Sequence, residues 1–278
     1  MSGILYLVAT PIGNLEDMTY RAVRILSEVD LIAAEDTRNS IKLLNHFNIK
    51  TPMTSYHEFN KYDKADILVE KLLSGQNIAV ITDAGTPGIS DPGEVLVHKC
   101  HEAGITVTSV PGACAAISAL ITSGLPTRRF AFEAFLPSDK KERLQVLEDL
   151  KKETRTIIIY EAPHRLKKTL ILLYESLGDR KITLTKELTK KHETIFRTTF
   201  AEALSYYEEN EPRGEYVITI EGLDYSSVLA EKRAQFEEMT IAEHVDMYIN
   251  QGMTKKDAIK QAAVDRGVPK REVYNALN

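Results

Sequence analysis

Residues 78–104 have the sequence IAVITDAGTPGISDPGEVLVHKCHEAG, in which a turn-rich loop joins a short apolar run to an amphipathic stretch. The apolar run at 78–82 predicts a buried strand, and the stretch at 92–103 predicts a helix. We expect Asp91 to cap this helix, Pro92 to occupy its first position, and Gly104 to end it. A strand, a loop and a helix in this order form the repeating unit of an α/β fold.

The same unit recurs on both sides of this stretch. Apolar runs precede amphipathic stretches at residues 4–9 and 18–29, 31–34 and 39–47, and 105–110 and 113–123. Alternation of this kind predicts a largely parallel sheet that is covered by helices on both faces.

A second set of elements follows a linker at residues 125–127. The predicted strands are 130–135, 156–160, 182–185, 194–199 and 216–221, and the predicted helices are 138–152 and 163–177. Several strands in succession indicate a second α/β lobe with a mixed sheet. Beyond residue 222, helical spacing at 241–250, 255–265 and 271–277 resembles a helix-turn-helix unit, although a helical cap on the second lobe is an equal alternative. We therefore expect α/β domains at 1–113 and 114–222 and a helical tail at 223–278.

Charge is distributed unevenly along the 278 residues. The net charge of −5 argues against a protein that coats nucleic acid along its whole surface. Residues 1–127 carry 14 acidic and 9 basic side chains, whereas residues 128–197 carry 11 acidic and 17 basic ones. The basic stretch can bind a polyanion, or it can be an ordinary solvated surface.

Cysteine content and hydropathy indicate a cytoplasmic protein. Cys100 and Cys114 are the only cysteines and are too few for a disulfide framework, which fits the reducing cytosol. The N-terminus lacks the features of a secretory signal. The uncharged run at 103–127 is interrupted by prolines, glycines and hydroxyl residues, so we expect no membrane-spanning segment.

Four loops at the carboxyl ends of the predicted strands are the candidate functional region. They are TPIGN at 10–14, EDTR at 35–38, DAGTPGISDPG at 83–93 and PGACA at 111–115. Ligands bind at this edge of an open parallel sheet, and loops rich in glycine and proline let the backbone approach a ligand. Any one loop is compatible with a plain tight turn, but four at one edge predict a cleft.

Common nucleotide and hydrolase signatures are missing from the sequence. There is no GxGxxG after the first strand, no GxxxxGK[ST], no HExxH and no GxSxG. Since the histidines and cysteines are scattered, we expect no metal site. Glu35 lies about twenty residues after the first loop, where a Rossmann-type fold would bind a ribose hydroxyl, and this remains an alternative.

Five ordered motifs resemble the ribosomal RNA small subunit methyltransferase I family, a branch of the tetrapyrrole methylase-like, class III methyltransferases. They are LVATPIGNLED at 7–17, AEDTR at 34–38, TDAGTP at 82–87 with SDPG at 90–93, VPG at 110–112, and YEAPHR at 160–165. The resemblance covers about residues 4–222, and the C-terminal part resembles the family's helix-turn-helix appendage.

The resemblance implies methylation of a cytidine ribose 2′-hydroxyl in 16S ribosomal RNA, on the assembled small ribosomal subunit. It also implies two α/β domains, S-adenosylmethionine held in the cleft between them, and a homodimer. By resemblance, the donor contacts are Pro11, Asp83, Ala84, Gly85, Thr86, Pro87, Ala113, Cys114 and Ala115.

Several side chains are candidates for proton transfer and substrate contact. The hydroxyl is a poor nucleophile, and Glu35, Asp36, Glu161 and His164 are candidate bases. A histidine in the position of His164 is more often a hydrogen-bonding residue at the start of a helix than a base. Arg38, Arg165 and Lys186 are candidate substrate contacts.

Two rival hypotheses stay open on the sequence. In the first, the donor site is kept but the substrate is a small tetrapyrrole-like molecule, which predicts a deep apolar pocket and a dispensable tail. In the second, the protein is a non-enzymatic RNA-binding or ribosome-assembly factor, which predicts that Asp83 and Glu35 can be substituted without effect.

Overall fold

The first lobe is built on a five-stranded sheet in which every strand pair is parallel. The computed structural model describes residues 2–224, 236 and 239–277. Pairing gives the strand order β3-β2-β4-β1-β5. The strands are β1 (Ile4–Val8), β2 (Leu31–Ala34), β3 (Met53–Ser55), β4 (Ile78–Ile81) and β5 (Thr106–Val110). The predicted parallel sheet is confirmed.

Helices cover both faces of this sheet because neighbouring strand residues point to opposite sides. Ile32 packs with α1 and α2 on one face, and Ala33 packs with α3 and α4 on the other. The helices are α1 (Tyr20–Glu28), α2 (Thr37–His46), α3 (Lys61–Leu73) and α4 (Glu94–Glu102), with a short 3-10 helix at Leu15–Asp17. Because helices cover both faces of the sheet, a ligand can reach it only at the strand ends and the loops that follow them.

The second lobe contains a mixed five-stranded sheet of order β6-β7-β10-β8-β9, in which β6 and β7 are parallel and the other pairs antiparallel. The strands are β6 (Phe130–Phe132), β7 (Thr156–Glu161), β8 (Lys181–Lys186), β9 (Thr194–Thr199) and β10 (Tyr216–Ile220). The helices are α5 (Ala115–Ser123), α6 (Lys140–Lys151), α7 (Pro163–Leu177) and α8 (Phe200–Glu209). Although α5 directly follows β5, its Ala116 and Leu120 pack against Ile158 and Val217 of this second sheet.

Three short helices follow, with a hydrophobic core of their own. They are α9 (Ile241–Asn250), α10 (Lys255–Arg266) and α11 (Lys270–Asn275), and Val245, Ile259 and Val273 are buried among them. The predicted tail also includes residues 225–235, 237, 238 and 278, which lie outside the described residues. None of the helices within the described ranges combines the length and apolar character needed to span a bilayer.

One local prediction is wrong in a way that matters for the site. Asp91 does not cap α4: the helix begins at Glu94, Gly93 occupies the capping position, and no side chain bonds the free amides there. Pro92 consequently lies before the helix. The predicted strands and helices otherwise begin and end within about three residues of the observed ones, but β3, α3 and α8 were not predicted.

Candidate active site

A cavity of about 330 Å³ lies where the loops of the first lobe meet the second sheet. From the first lobe it is lined by Ile12, Glu35, Asp83, Ala84, Gly85, Thr86, Ile89, Ser90 and Asp91. From the second lobe it is lined by Cys114, Ala115, Phe135, Tyr160, Glu161, Ala162, Thr185, Leu188, Lys190, Glu215, Tyr216 and Val217. Its size is typical of a small-molecule site.

The first-lobe wall is acidic. Burial, together with the charges of Asp83 and Asp36, raises the pKa of Glu35, although its carboxylate accepts a hydrogen bond from the Asp83 amide at 3.2 Å. Burial and the charges of Glu35 and Asp83 raise the pKa of Asp91 to about 7. Since like charges crowd one another here, the wall favours a cationic ligand.

A backbone bridge fixes the loop that carries this wall. The Thr10 amide donates to the Gly85 carbonyl at 2.8 Å, and the Gly85 amide donates to the Thr10 carbonyl at 3.1 Å. Gly85 has a φ of +86°, a backbone conformation that is unfavourable for residues with a Cβ. The Thr86 hydroxyl donates to the Ala113 carbonyl at 3.1 Å and ties this loop to the one after β5.

The second-lobe wall combines apolar side chains with three hydroxyl-bearing residues, Tyr160, Thr185 and Tyr216, and with the charged side chains of Glu161, Lys190 and Glu215. The Tyr160 ring packs edge-on against Phe132 and Phe135, and its hydroxyl accepts a hydrogen bond from the Ala116 amide at 3.0 Å. Burial raises the pKa of Tyr160 to about 12, so it stays protonated at neutral pH. Thr185 is fully buried, and its hydroxyl has no hydrogen-bond partner in the described structure. Because Thr185 also lines the cavity, its hydroxyl is a candidate contact for a polar group of a ligand.

Half of the sequence-predicted residues line this cavity. They are Glu35 and Glu161 of the candidate bases and Asp83, Ala84, Gly85, Thr86, Cys114 and Ala115 of the candidate donor contacts. Asp36, His164, Pro11, Pro87, Ala113, Arg38, Arg165 and Lys186 are not among the lining residues. Pro11 and Pro87 are buried, whereas His164 is exposed.

Two predicted acids are engaged in local pairs. The Arg38 guanidinium lies 2.7 Å from the Asp36 carboxylate, and its hydrogen bonds lower the pKa of Asp36 to about 2. Asp36 also caps α2, because it accepts a hydrogen bond from the Arg38 amide. Glu161 is buried, accepts hydrogen bonds from the Thr169 hydroxyl and the Ala162 amide, and lies 3.3 Å from Arg165.

The residues that sequence reasoning missed come mainly from the second lobe. Thr185 and Val217 face each other across the antiparallel β8–β10 pair, and Tyr216 precedes Val217 on β10. Lys190 is held by Glu187 at 2.9 Å and Glu215 at 2.7 Å. Asp91 and Tyr160 lie inside two of the quoted motifs, at 90–93 and 160–165, so the motifs could have identified both as site residues. In the described part of the chain, no group of three potential metal ligands comes together.

Comparison with known proteins places the chain in a family. It matches the family model described as tetrapyrrole (corrin/porphyrin) methylases over residues 4–204. It is 52% identical over 276 residues to the ribosomal RNA small subunit methyltransferase I of Bacillus subtilis (strain 168). These aligned residues cover 99% of this chain and 94% of that protein. The chain belongs to the ribosomal RNA small subunit methyltransferase I family.

A second curated relative and a solved structure are also similar to the chain. The small subunit methyltransferase I of Synechocystis is 50% identical over 98% of this chain and 96% of that protein. Among solved structures, the uroporphyrin-III C-methyltransferase of Thermus thermophilus, complexed with S-adenyl homocysteine, superposes with a TM-score of 0.54 at 20% identity. The superposition covers 78% of this chain and 97% of that one, and confirms the two-lobed methylase fold.

Proposed function

We propose that this methyltransferase transfers a methyl group from S-adenosylmethionine to the 2′-hydroxyl of a cytidine ribose in 16S ribosomal RNA of the small ribosomal subunit. The observation that carries the proposal is the acid-walled cavity between the lobes of a chain with full-length relatives named ribosomal RNA small subunit methyltransferase I. The finer points, the ribose hydroxyl and the cytidine, rest on the motif resemblance.

The residues of the cavity fit this donor. When bound, S-adenosylmethionine supplies an electrophilic methyl group on a cationic sulfonium. Carboxylates of Glu35 and Asp83 offer the first-lobe wall a negative charge that matches a cation, and Thr185 offers an unused buried hydroxyl. Leu188 and Val217 supply apolar surface for a planar group. We propose that these residues hold the donor together with the lining residues of 83–86, 114 and 115.

The chain contributes mainly position to the reaction. Methyl transfer requires the hydroxyl oxygen, the methyl carbon and the sulfur to be nearly collinear, and such positioning can contribute roughly 7–11 kcal/mol. The Thr10–Gly85 bridge and the Thr86–Ala113 hydrogen bond link the three first-lobe loops at 10–14, 83–93 and 111–115 and so hold them in place for this purpose. Pro11 and Pro87 are buried and do not line the cavity, so we propose that they fix the backbone path of the loops that do.

The candidate bases separate into two groups. Glu35 faces the cavity with a raised pKa and stays in the proposed machinery. Asp36 is ionised and caps the N-terminus of α2, and Glu161 accepts a hydrogen bond from the Thr169 hydroxyl. We therefore propose a structural role for both residues. Arg165 donates to the Leu136 carbonyl and pairs with Glu161, so its guanidinium supports β7 and α7.

The unused buried hydroxyl gives a test of the donor site. Replacing Thr185 by valine should weaken donor binding about threefold to tenfold, the effect of one lost hydrogen bond of 0.5–1.5 kcal/mol. The same change should not lower the free energy of unfolding, because an unpartnered buried hydroxyl is removed. Calorimetric titration with S-adenosylmethionine and urea unfolding measure the two quantities.

Thr219 is the matched control for Thr185. It is fully buried on β10, its hydroxyl is also unpartnered, and it does not line the cavity. Thr219→Val should leave donor affinity unchanged. Equal donor affinity in Thr185→Val and the parent protein would remove Thr185 from the donor site.

We propose that exposed basic residues of the second lobe contact RNA phosphates. Arg128 and Arg129 are exposed and form no ion pair with another described residue, in contrast to Arg155, which pairs with Glu153. The double change Arg128→Ala and Arg129→Ala should weaken subunit binding and reduce the slope of log affinity against log salt by about 2. Filter binding over a salt series measures this.

The control for the arginine pair lies on the acidic first lobe. Lys42 and Lys50 are also exposed, and their double alanine variant should leave the salt slope unchanged. A slope equal to that of the parent protein in the Arg128→Ala, Arg129→Ala variant would contradict the proposed phosphate contact.

We further propose that the protein acts in the cytoplasm as a homodimer of 31.2 kDa chains, with domains at 1–113 and 114–222 and a tail at 223–278. The ribosomal substrate supports the location, and the family resemblance supports the dimer. The basic tail residues are additional candidates for RNA contact.

Transfer of label tests the proposed function. The purified protein, labelled S-adenosylmethionine and either assembled small subunits or bare 16S RNA are incubated together, and label in the RNA is counted. We expect incorporation, with assembled subunits preferred. Donor binding without incorporation into either RNA would contradict the proposal and favour a small-molecule substrate.

A further inference from the structure

Phe135 presents an exposed aromatic ring at the wall of the cavity. Three aromatic side chains line the cavity, namely Phe135, Tyr160 and Tyr216. Tyr216 is 4% exposed and the Tyr160 hydroxyl is bonded to the Ala116 amide, whereas Phe135 is 49% exposed. The Phe135 and Tyr160 rings meet at 65° with their centroids 5.7 Å apart, so Tyr160 does not cover Phe135 as a parallel ring would. Part of the Phe135 ring is therefore open to a ligand.

The backbone just before Phe135 is strained and fixed by hydrogen bonds. Ala134 has a φ of +54°, a left-handed conformation that is unfavourable for a residue with a Cβ. Its carbonyl accepts a hydrogen bond from the Tyr160 amide at 2.7 Å, and the Glu133 amide donates to the Ile158 carbonyl at 3.0 Å. Strain of this kind persists only where the surrounding structure holds it, and it is common where proteins hold ligands. The segment that carries Phe135 is thus kept in one conformation beside the cavity.

The residue after Phe135 is anchored in the core of the second lobe. Leu136 is 1% exposed and belongs to the large hydrophobic cluster of that lobe. Its carbonyl accepts a hydrogen bond from the Arg165 guanidinium at 2.8 Å, and Arg165 in turn lies 3.3 Å from Glu161. A side chain held between two fixed residues has little conformational freedom to lose when a ligand binds. Phe135 is therefore a preorganised apolar surface.

Exposure separates Phe135 from the second-lobe residues that we assign to the donor. Thr185, Leu188 and Val217 line the same cavity but are at most 9% exposed. Phe135 is half exposed, so it lies where the cavity opens to solvent. A small donor can occupy the buried part, whereas a large substrate such as RNA must approach from the open side. The position of Phe135 therefore favours contact with the substrate.

We propose that Phe135 stacks on the base of the ribonucleotide that is methylated. This inference rests on the proposed function. Bases of single-stranded RNA are commonly bound by stacking on aromatic side chains, because every base has a π-face. A base fixed against Phe135 brings its own ribose hydroxyl to the cavity that holds the donor. Since stacking tolerates any base, Phe135 positions the nucleotide and does not select cytidine.

The test compares Phe135→Leu with the matched variant Phe132→Leu. Both changes remove a ring that packs against Tyr160, but Phe132 does not line the cavity. Leucine keeps apolar volume and lacks a π-face, so Phe135→Leu should lower kcat/KM for assembled small subunits by about 5-fold to 150-fold. Phe132→Leu should keep kcat/KM within about threefold of the parent protein. Calorimetric affinity for S-adenosylmethionine should change by no more than about threefold in either variant.

Aromatic replacements at the same position separate stacking from a general apolar contact. Phe135→Tyr and Phe135→Trp both keep a ring face, so their kcat/KM should lie within about threefold of the parent value. A purely apolar contact would instead be served equally well by leucine.

Tryptophan fluorescence gives a readout that does not depend on methyl transfer. The chain contains no tryptophan, so Phe135→Trp introduces a single reporter. A saturating short oligocytidylate should quench its emission through base stacking, whereas an oligomer of equal length built from abasic riboses should not. Tyr206→Trp is the matched control, because Tyr206 is 48% exposed on α8 and does not line the cavity. Its emission should be the same with either oligomer.

Each alternative outcome is distinct. A kcat/KM of Phe135→Leu that equals the parent value, or equal emission of Phe135→Trp with oligocytidylate and with the abasic oligomer, would overturn the assignment. Loss of donor affinity in Phe135→Leu would make Phe135 a donor contact and also overturn it. If the parent protein transfers no methyl group to RNA while oligocytidylate quenches Phe135→Trp, the proposed function fails and the stacking contact stands.

Discussion

Replacement of Glu161 by alanine is expected to lower the free energy of unfolding by about 3 kcal/mol. The Glu161 side chain is fully buried, accepts hydrogen bonds from the Thr169 hydroxyl and the Ala162 amide at 2.9 Å, and lies 3.3 Å from Arg165. Alanine would leave these three groups without their acceptor in a largely buried place. Urea unfolding followed by circular dichroism measures the change.

Glu175→Ala is the control for this prediction. Glu175 is an exposed carboxylate on the same helix, α7, and its loss should change the free energy of unfolding by no more than about 0.5 kcal/mol. A Glu161→Ala protein as stable as the parent but inactive would contradict the structural assignment and restore Glu161 as a candidate base.

Replacement of Gly85 by valine should weaken S-adenosylmethionine binding by at least about 100-fold, or roughly 2.7 kcal/mol. Gly85 lines the cavity with a φ of +86°, and an added Cβ would lie 3.3 Å from the Ile12 side chain and 3.7 Å from the Ala113 carbonyl. A branched side chain there would occupy cavity volume and strain the bridge to Thr10. Calorimetric titration measures the affinity.

Gly104→Val separates strain from lost volume. Gly104 also has a positive φ, of +67°, but nothing lies within 4 Å of the position of an added Cβ, and it does not line the cavity. We expect lower stability and unchanged donor affinity. Donor binding by Gly85→Val that equals binding by Gly104→Val would show that the cavity around Gly85 is not the donor site.

The first lobe was largely predictable because its strands are short apolar runs bounded by turn residues. The strand Leu31–Ala34 and the helix Pro163–Leu177 were predicted to the residue. The strand Met53–Ser55 was missed because three residues at a sheet edge carry too little periodicity to be recognised. The helix Lys61–Leu73 was missed with it.

The candidate site was predictable only where local sequence determines it. The glycine-rich loop at 83–93 indicated a backbone that approaches a ligand, and Gly85 and Thr86 do line the cavity. Pairing across elements was not predictable: Glu161 is engaged by Thr169 eight residues later, and Thr185 reaches the wall through its register with Val217. The local sequence at Asp91 predicts a helix cap, whereas in the tertiary fold Asp91 lines the cavity.

The most direct test of the central claim is the chemical position of the transferred methyl group. Assembled small subunits are methylated with labelled S-adenosylmethionine, and the RNA is then extracted and hydrolysed in alkali. A 2′-O-methyl group blocks cleavage at its own nucleotide, so we predict that the label is recovered in an alkali-resistant dinucleotide that begins with 2′-O-methylcytidine. Recovery of all label in mononucleotides would place the methyl group on a base and contradict ribose methylation.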